Sequence, residues 1–210
     1  MRSGTTGIRG VLARPQLYEL WSYLVGGKRG RSTLVREHVR PKPGTRVLDL
    51  GCGPGELVKY LGDVEYVGID IDPTYIAHAR RVHGERAEYR VGNVAELDPD
   101  LGEFDVVVAF GVLHHLDDVG AARLVEGAAE ALKQDGRLVT VDPTLTPAQS
   151  RPARWVILAD RGHYVRTPSE YERLAAPHFE VETRVRSDLL RIPYTHCVLE
   201  CNLGDRSPGS

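Results

Sequence analysis

At residues 46–50 the apolar run RVLDL passes directly into Gly51-Cys52-Gly53-Pro54-Gly55, and three glycines at alternate positions straight after a strand leave few folds open. Such glycines let the backbone take left-handed conformations and approach a ligand with no Cβ in the way. Strand, turn and helix open an α/β unit, and the chain repeats that grammar. Residues 65–71 (EYVGIDI) read as a second strand, after which Asp72 supplies an N-cap and Pro73 the first helical position of a helix over residues 74–82. Alternation marks a third strand at residues 87–91. Residues 104–110 (FDVVVAF) are continuously apolar, as a central parallel strand covered on both faces requires. Asp117 or Asp118 starts an alanine-rich helix expected to end near Lys133, and Asp135-Gly136 turns the chain into a fifth strand at residues 137–141. The alternation predicts a parallel sheet with right-handed crossovers and helices on both faces.

After Asp142 the pattern changes. PTLTPAQSRP is a proline-broken loop, residues 153–160 read as an inserted helix, and Thr167-Pro168-Ser169-Glu170 is a capping box for another helix reaching about Ala176. Residues 143–178 are therefore expected to form a cap on the acceptor side of a cleft. Two last strands, near residues 179–186 and 194–201, predict a terminal antiparallel hairpin and bring the total to seven strands. Residues 15–25 (PQLYELWSYLV) place Leu17, Leu20, Trp21 and Leu24 at helical spacing, followed by a Gly/Arg-rich link at residues 26–30 and a further helix. Residues 1–40 thus read as a helical lid on a single domain spanning residues 1–210.

Bulk properties narrow the partners. With 210 residues, 41% of them hydrophobic, the chain can bury one core of ordinary size. A formal net charge of -2 supplies no global positive field to draw it to nucleic acid or anionic membrane, so a small molecule is the expected partner. Cys52, Cys197 and Cys201 make neither a disulfide framework nor a four-ligand zinc pattern, and no metal constellation is visible. The first residues carry no apolar leader core, and no apolar run approaches the roughly 20 residues of a membrane span; a cytoplasmic location is expected.

The glycine turn departs from the dinucleotide pattern G-x-G-x-x-G because Glu56 follows Gly55. A pyrophosphate there would meet the carboxylates of Glu56 and Asp49, whereas a zwitterionic sulfonium ligand carries positive charge that suits them. Asp70, closing the second strand, is placed to accept hydrogen bonds from both ribose hydroxyls; its competing role, a helix cap, falls better to Asp72. With VLDLGCGPG, GIDID, GNVAEL from Gly92 and FDVVVAFGVLHHLDD, the sequence resembles the class I S-adenosylmethionine-dependent methyltransferases of small-molecule, bacterial type over roughly residues 46–143. The resemblance implies a Rossmann-like seven-stranded sheet in the order 3-2-1-4-5-7-6 with the last strand antiparallel. It also implies S-adenosyl-L-methionine as cofactor, S-adenosyl-L-homocysteine as product, and in-line methyl transfer to O, N or C. The cofactor-binding set it implies is Asp49, Gly51, Cys52, Gly53, Gly55, Asp70, Ile71, Asn93, Val94 and Phe110, with Asn93 standing where the family often has an aspartate against adenine.

For the acceptor, His115 is the first choice of general base, with His114 and His163 as further candidates; the competing reading has these rings only bonding to backbone. Tyr18, Tyr23, Arg161, Tyr164 and Arg166 are candidate acceptor-binding groups, the arginines for an anionic group and the aromatics for a flat one. Against this, Asp160 with Arg161 can be a surface ion pair, and aromatics at helical spacing can be core. A dehydrogenase lacks its third glycine here. A base-methylating enzyme lacks its Asn/Asp-Pro-Pro-aromatic motif, since Ala109-Phe110-Gly111-Val112 occupies that place. The alternative function is an S-adenosylmethionine-binding protein of the same fold repurposed as a cyclase or a non-catalytic binding module.

Overall fold

In the computed structural model of this chain, residues 27–158 and 162–204 are described. The strands β1 (Thr45–Leu50), β2 (Val64–Asp70), β3 (Glu88–Val91), β4 (Phe104–Phe110), β5 (Leu132–Pro143), β6 (Phe179–Arg186) and β7 (His196–Leu203) form one seven-stranded sheet. Its order is β3-β2-β1-β4-β5-β7-β6, as expected. β1 pairs in parallel with both β2 and β4, while β7 runs antiparallel between β5 and β6. The crossovers therefore change direction between β1 and β4. In open α/β sheets such a switch point, at the carboxyl ends of the strands, is where ligands bind.

Each central strand feeds two cores, which explains the unbroken apolar run in β4. Leu48, Leu50, Val107 and Ala109 face one layer, made by Leu124, Val125 and Ala128 of α4 (Asp118–Glu130) and Tyr171 of α6 (Pro168–Ala175). Val47, Val106 and Val108 face the other. That second layer holds Leu34 of α1 (Gly27–Leu34), Val35 and Val39 of the following π-helical turn Val35–Val39, and Val58 and Leu61 of α2 (Val58–Leu61). Ile76 and Ala79 of α3 (Pro73–His83) complete it. The caps fall where chemistry put them: Asp72 accepts from Thr74 N, Asp117 from Gly120 N, and Thr167 with Glu170 forms the capping box.

Several expectations need correction. α4 stops at Glu130 because Leu132 is already recruited to the sheet opposite Phe104, and β5 is longer than residues 137–141, with a register shift absorbing the extra turn. The link at residues 26–30 is not a loop from residue 27 onward: it is α1, whose Gly27 and Gly30 are buried, and a Cβ on Gly30 would stand 2.6 Å from Leu189 O. His38, just beyond, bonds Glu200 through Nδ1 at 2.8 Å, and Arg186 lies 3.2 Å from its Nε2. Residues 27–39 thus belong to the body. The expected lid helix at residues 15–25 lies outside the described residues. The inserted helix is α5 (Arg151–Leu158), two residues earlier than the composition suggested. No helix among the described residues is long and apolar enough to cross a membrane.

Candidate functional site

The carboxyl ends of β1, β2, β4 and β5 meet around the glycine turn. Gly51 N and Cys52 N both donate to Ile69 O, at 2.7 and 3.0 Å, which bends the chain off β1 across the end of β2. The three glycines share positive φ but differ in surroundings. A Cβ on Gly51 would stand 2.5 Å from Val112 Cγ2, so that glycine serves internal packing, whereas a Cβ on Gly53 (φ 53°) would meet nothing within 4 Å among the described residues. Gly53 is the one whose bare face opens on free space, as a backbone cradle for a ligand requires.

Asp70 ties this turn to the next. Its Oδ2 accepts from Gly53 N and its Oδ1 from Asp72 N, both at 2.8 Å, and burial raises its pKa from the ordinary value. Each oxygen keeps a second acceptor position, so a vicinal diol can be held without breaking either bond. Beside it Ile71 is 71% exposed, an apolar surface where a flat heterocycle can rest. Val94 is buried, Phe110 half-buried, and Asn93 Oδ1 accepts from Ala95 N at 3.1 Å, leaving its amide N–H groups and one lone pair.

Two acidic groups part company. Asp49 lies buried under the turn, accepts a hydrogen bond from Tyr66 OH, and has its carboxyl pushed up to about 7, chiefly by burial and against the help of that bond. Asp70 nearby raises it further, and Arg31 of α1 lowers it. Glu56, expected to add charge to the turn, instead points into the body, with Lys59 on its carboxylate and His83 Nε2 at 3.7 Å. The charge argument against a pyrophosphate therefore rests on Asp49 and Asp70. Cys52 is buried, its thiol pushed well up by burial and by both aspartates; a Cβ on Gly68 would stand 2.9 Å from its Sγ. It is a packing residue that contributes backbone to the turn.

On the acceptor side the histidines separate. His114 and His115 share the 3-10 turn Leu113–His115 after β4, their ring centroids 4.0 Å apart, but His114 is buried and His115 exposed. His114 Nδ1 lies 2.8 Å from Asp142 Oδ1 at the end of β5, an aspartate that marked only a boundary in the sequence. A charged residue closing the apolar strand RLVTVDP at its carboxyl end was the signal available.

His163 and Tyr164 are exposed, with Tyr164 N donating to His114 O at 3.0 Å. Arg166 is corrected from anion anchor to internal staple. Its NH1 donates to Leu113 O and Tyr164 O, its NH2 to Leu116 O and Asp118 Oδ1, and its Nε to the same carboxylate. All the N–H groups of the guanidinium are thereby committed. Tyr18, Tyr23 and Arg161 lie outside the described residues. Among the described residues no three His, Cys, Asp or Glu side chains are grouped to hold a metal.

Known proteins resemble this chain in sequence and in fold. Residues 47–136 match a family model described as a methyltransferase domain. An uncharacterized methyltransferase of Synechocystis is 31% identical over 148 residues, 68% of this chain and 66% of that protein. A ubiquinone biosynthesis O-methyltransferase of Azorhizobium caulinodans is 39% identical over 122 residues, 52% of this chain and 47% of that protein. The chain thus matches between about half and two thirds of the length of these curated relatives. In fold, it superposes on a TehB-like S-adenosylmethionine-dependent methyltransferase from Corynebacterium glutamicum with a TM-score of 0.68 at 20% identity, covering 91% of this chain and 99% of that one.

Proposed function

Because the chain belongs to the class I S-adenosylmethionine-dependent methyltransferase family, we propose that it transfers the methyl group of S-adenosylmethionine to a small molecule, with a hydroxyl oxygen as the receiving atom. The observation that carries the reading is the pairing of an open backbone cradle at Gly53 with the Asp70 carboxylate bonded to that same glycine's N–H. Oxygen as the receiving atom is supported by the O-methyltransferase named among the relatives.

In this reading the backbone of residues 51–55 and the Asp49 carboxylate take the charged amino-acid end of the cofactor. Asp70 takes the ribose hydroxyls, and Ile71, Asn93 and Val94 enclose the adenine. Phe110, at the end of β4, flanks the reactive centre. The cofactor supplies a methyl group already activated on a sulfonium, so the protein's task is to hold nucleophile, carbon and sulfur in line and to exclude water. The segment after β5 exposes Trp155 and Leu158 of α5 and Tyr164, apolar groups against which an apolar acceptor can lie.

The test is acceptor-dependent release of S-adenosylhomocysteine from the full chain with S-adenosylmethionine and a panel of phenol, catechol, 4-hydroxybenzoate and simple amines. Release with a hydroxyl compound supports the reading. Release only with amines moves the receiving atom to nitrogen. Tight cofactor binding with no turnover of any member favours the repurposed binding module.

A further inference from the structure

We propose that β6 is a dimerisation strand, which pairs antiparallel with β6 of a second copy of this chain across a two-fold axis through Thr183. The inference rests on the free edge of the sheet and on the order of charges along it, and it is independent of the methyl-transfer reading.

β6 ends the sheet beside β7, and among the described residues no strand pairs with its outer side. An unpaired edge presents a row of N–H and C=O groups that another strand can take up, and natural proteins blunt such edges with proline, lysine, bulges or short length. FEVETRVR has none of these four devices. Its eight residues pair with β7 in one unbroken register, and it contains neither proline nor lysine. The opposite edge, β3, is only four residues long.

The charges select the partner. Residues 180–186 read Glu-Val-Glu-Thr-Arg-Val-Arg, so turning the strand about Thr183 exchanges each glutamate with an arginine and each valine with a valine. Residues directly opposite in an antiparallel pair share a face of the sheet, so a two-fold axis normal to the sheet must pass through a residue and not between two. Centred on Thr183, the pairing sets Glu182 opposite Arg184 of the second copy, Glu180 opposite Arg186 and Val181 opposite Val185, each of them twice. Centring on Val181 or Glu182 brings glutamate against glutamate, and centring on Arg184 or Val185 brings arginine against arginine. Opposite charges directly across a pair stabilise it and like charges destabilise it, so this register alone suits the sequence.

The side chains are free to make these contacts. Glu182 and Arg184 lie 2.5 Å apart along the strand, but both are more than half exposed, and such a surface pair is worth little. Val185 is 47% exposed, an apolar surface that Val181 of the second copy would cover. Arg186 is already held by Glu37 and Asp188, so the inner pair of Glu182 with Arg184 carries the register. The product is one continuous sheet of twice seven strands. Because β7 is antiparallel to both β5 and β6, β5 and β6 run the same way, and the candidate sites of the two copies open in opposite directions.

Sedimentation equilibrium of the full chain tests the proposal. One strand edge is a small interface, so a monomer–dimer equilibrium with a dissociation constant on the order of 10 µM is expected. Glu182→Arg and Arg184→Glu should each weaken it about tenfold or more, since each sets two like-charge pairs across the axis. An equimolar mixture of the two variants should dimerise about as tightly as the unsubstituted chain. The mixed dimer regains both cross-axis pairs while the pair within each chain stays broken, which separates the interface from any effect inside one copy. Circular dichroism should be the same for all three proteins. A chain still monomeric at about 200 µM overturns the proposal, and protection of every β6 amide from hydrogen exchange in that monomer would assign the edge to another segment of this chain. A dimer indifferent to both substitutions, or a mixture no tighter than either variant alone, overturns it as well.

Discussion

Asp49→Asn should stabilise the ligand-free protein, and by an amount that grows with pH. Burial holds the Asp49 carboxyl at about 7 in the folded chain against an ordinary 3.8, despite the Tyr66 hydroxyl and Arg31, and with Asp70 adding to the cost. The folded state therefore binds this proton more tightly than the unfolded state, and stability falls as pH rises through the window from about 4 to about 7, then levels off. A tenfold difference in proton affinity is worth about 1.4 kcal/mol, and between pH 5 and pH 8 roughly a hundredfold of it is expressed, so the penalty grows by roughly 3 kcal/mol. Asparagine keeps an acceptor for Tyr66 and carries no charge. Urea unfolding of both proteins at several pH values isolates the term: the advantage of Asp49→Asn should widen by roughly 2 to 3 kcal/mol from pH 5 to pH 8. An advantage constant across that range would show that Asp49 is ionised at low cost. The same linkage makes the native site bind a positively charged ligand more tightly as pH climbs through about 7, a dependence that Asp49→Asn should flatten.

Other substitutions read other parts of the account. Asp70→Ala should weaken S-adenosylhomocysteine by roughly 1.5 to 3 kcal/mol in calorimetry, the range for hydrogen bonds to a charged group; an unchanged affinity would place the ribose elsewhere. Gly53→Ala should lose ligand affinity for only about 1 kcal/mol of stability, because its φ of 53° is strained for alanine but its Cβ meets nothing, while Gly51→Ala, facing Val112, should unfold more readily than that; equal melting curves would refute the division. Arg166→Ala should destabilise by roughly 1 to 3 kcal/mol, since it strips donors from the Leu113 and Leu116 carbonyls while the exposed Asp118 is left in water; a normal unfolding midpoint with a raised acceptor KM would restore it as an anion anchor.

The sheet was legible because its signals are local and repeated. Each strand of the first half ends in a turn with its own chemistry, such as Asp72-Pro73 or Asp117, and β4 advertises by its unbroken apolar run that both faces are covered. The order of strands came from family resemblance; periodicity has no access to it. The glycine turn itself was likewise readable, since positive φ after a strand announces itself by glycine. What escaped were side chains whose meaning depends on a distant partner. Glu56 sits next to the turn in sequence but turns toward Lys59 and His83. Arg166 sits in a segment rich in ligand-like groups but is consumed by carbonyls about fifty residues away. His114 is set apart from His115 by Asp142, which is 28 positions on and reaches it across β4 and β5. Adjacent histidines in one short turn give no sequence signal for which of them is buried.

Titration of the full chain with S-adenosylhomocysteine in a calorimeter, with NAD as the control, tests the central claim without requiring the acceptor. Single-site binding of the sulfur nucleoside with a dissociation constant on the order of 10 µM or tighter, about -7 kcal/mol, and no heat from NAD is the expected result. Heat from NAD with none from either S-adenosylhomocysteine or S-adenosylmethionine would contradict it.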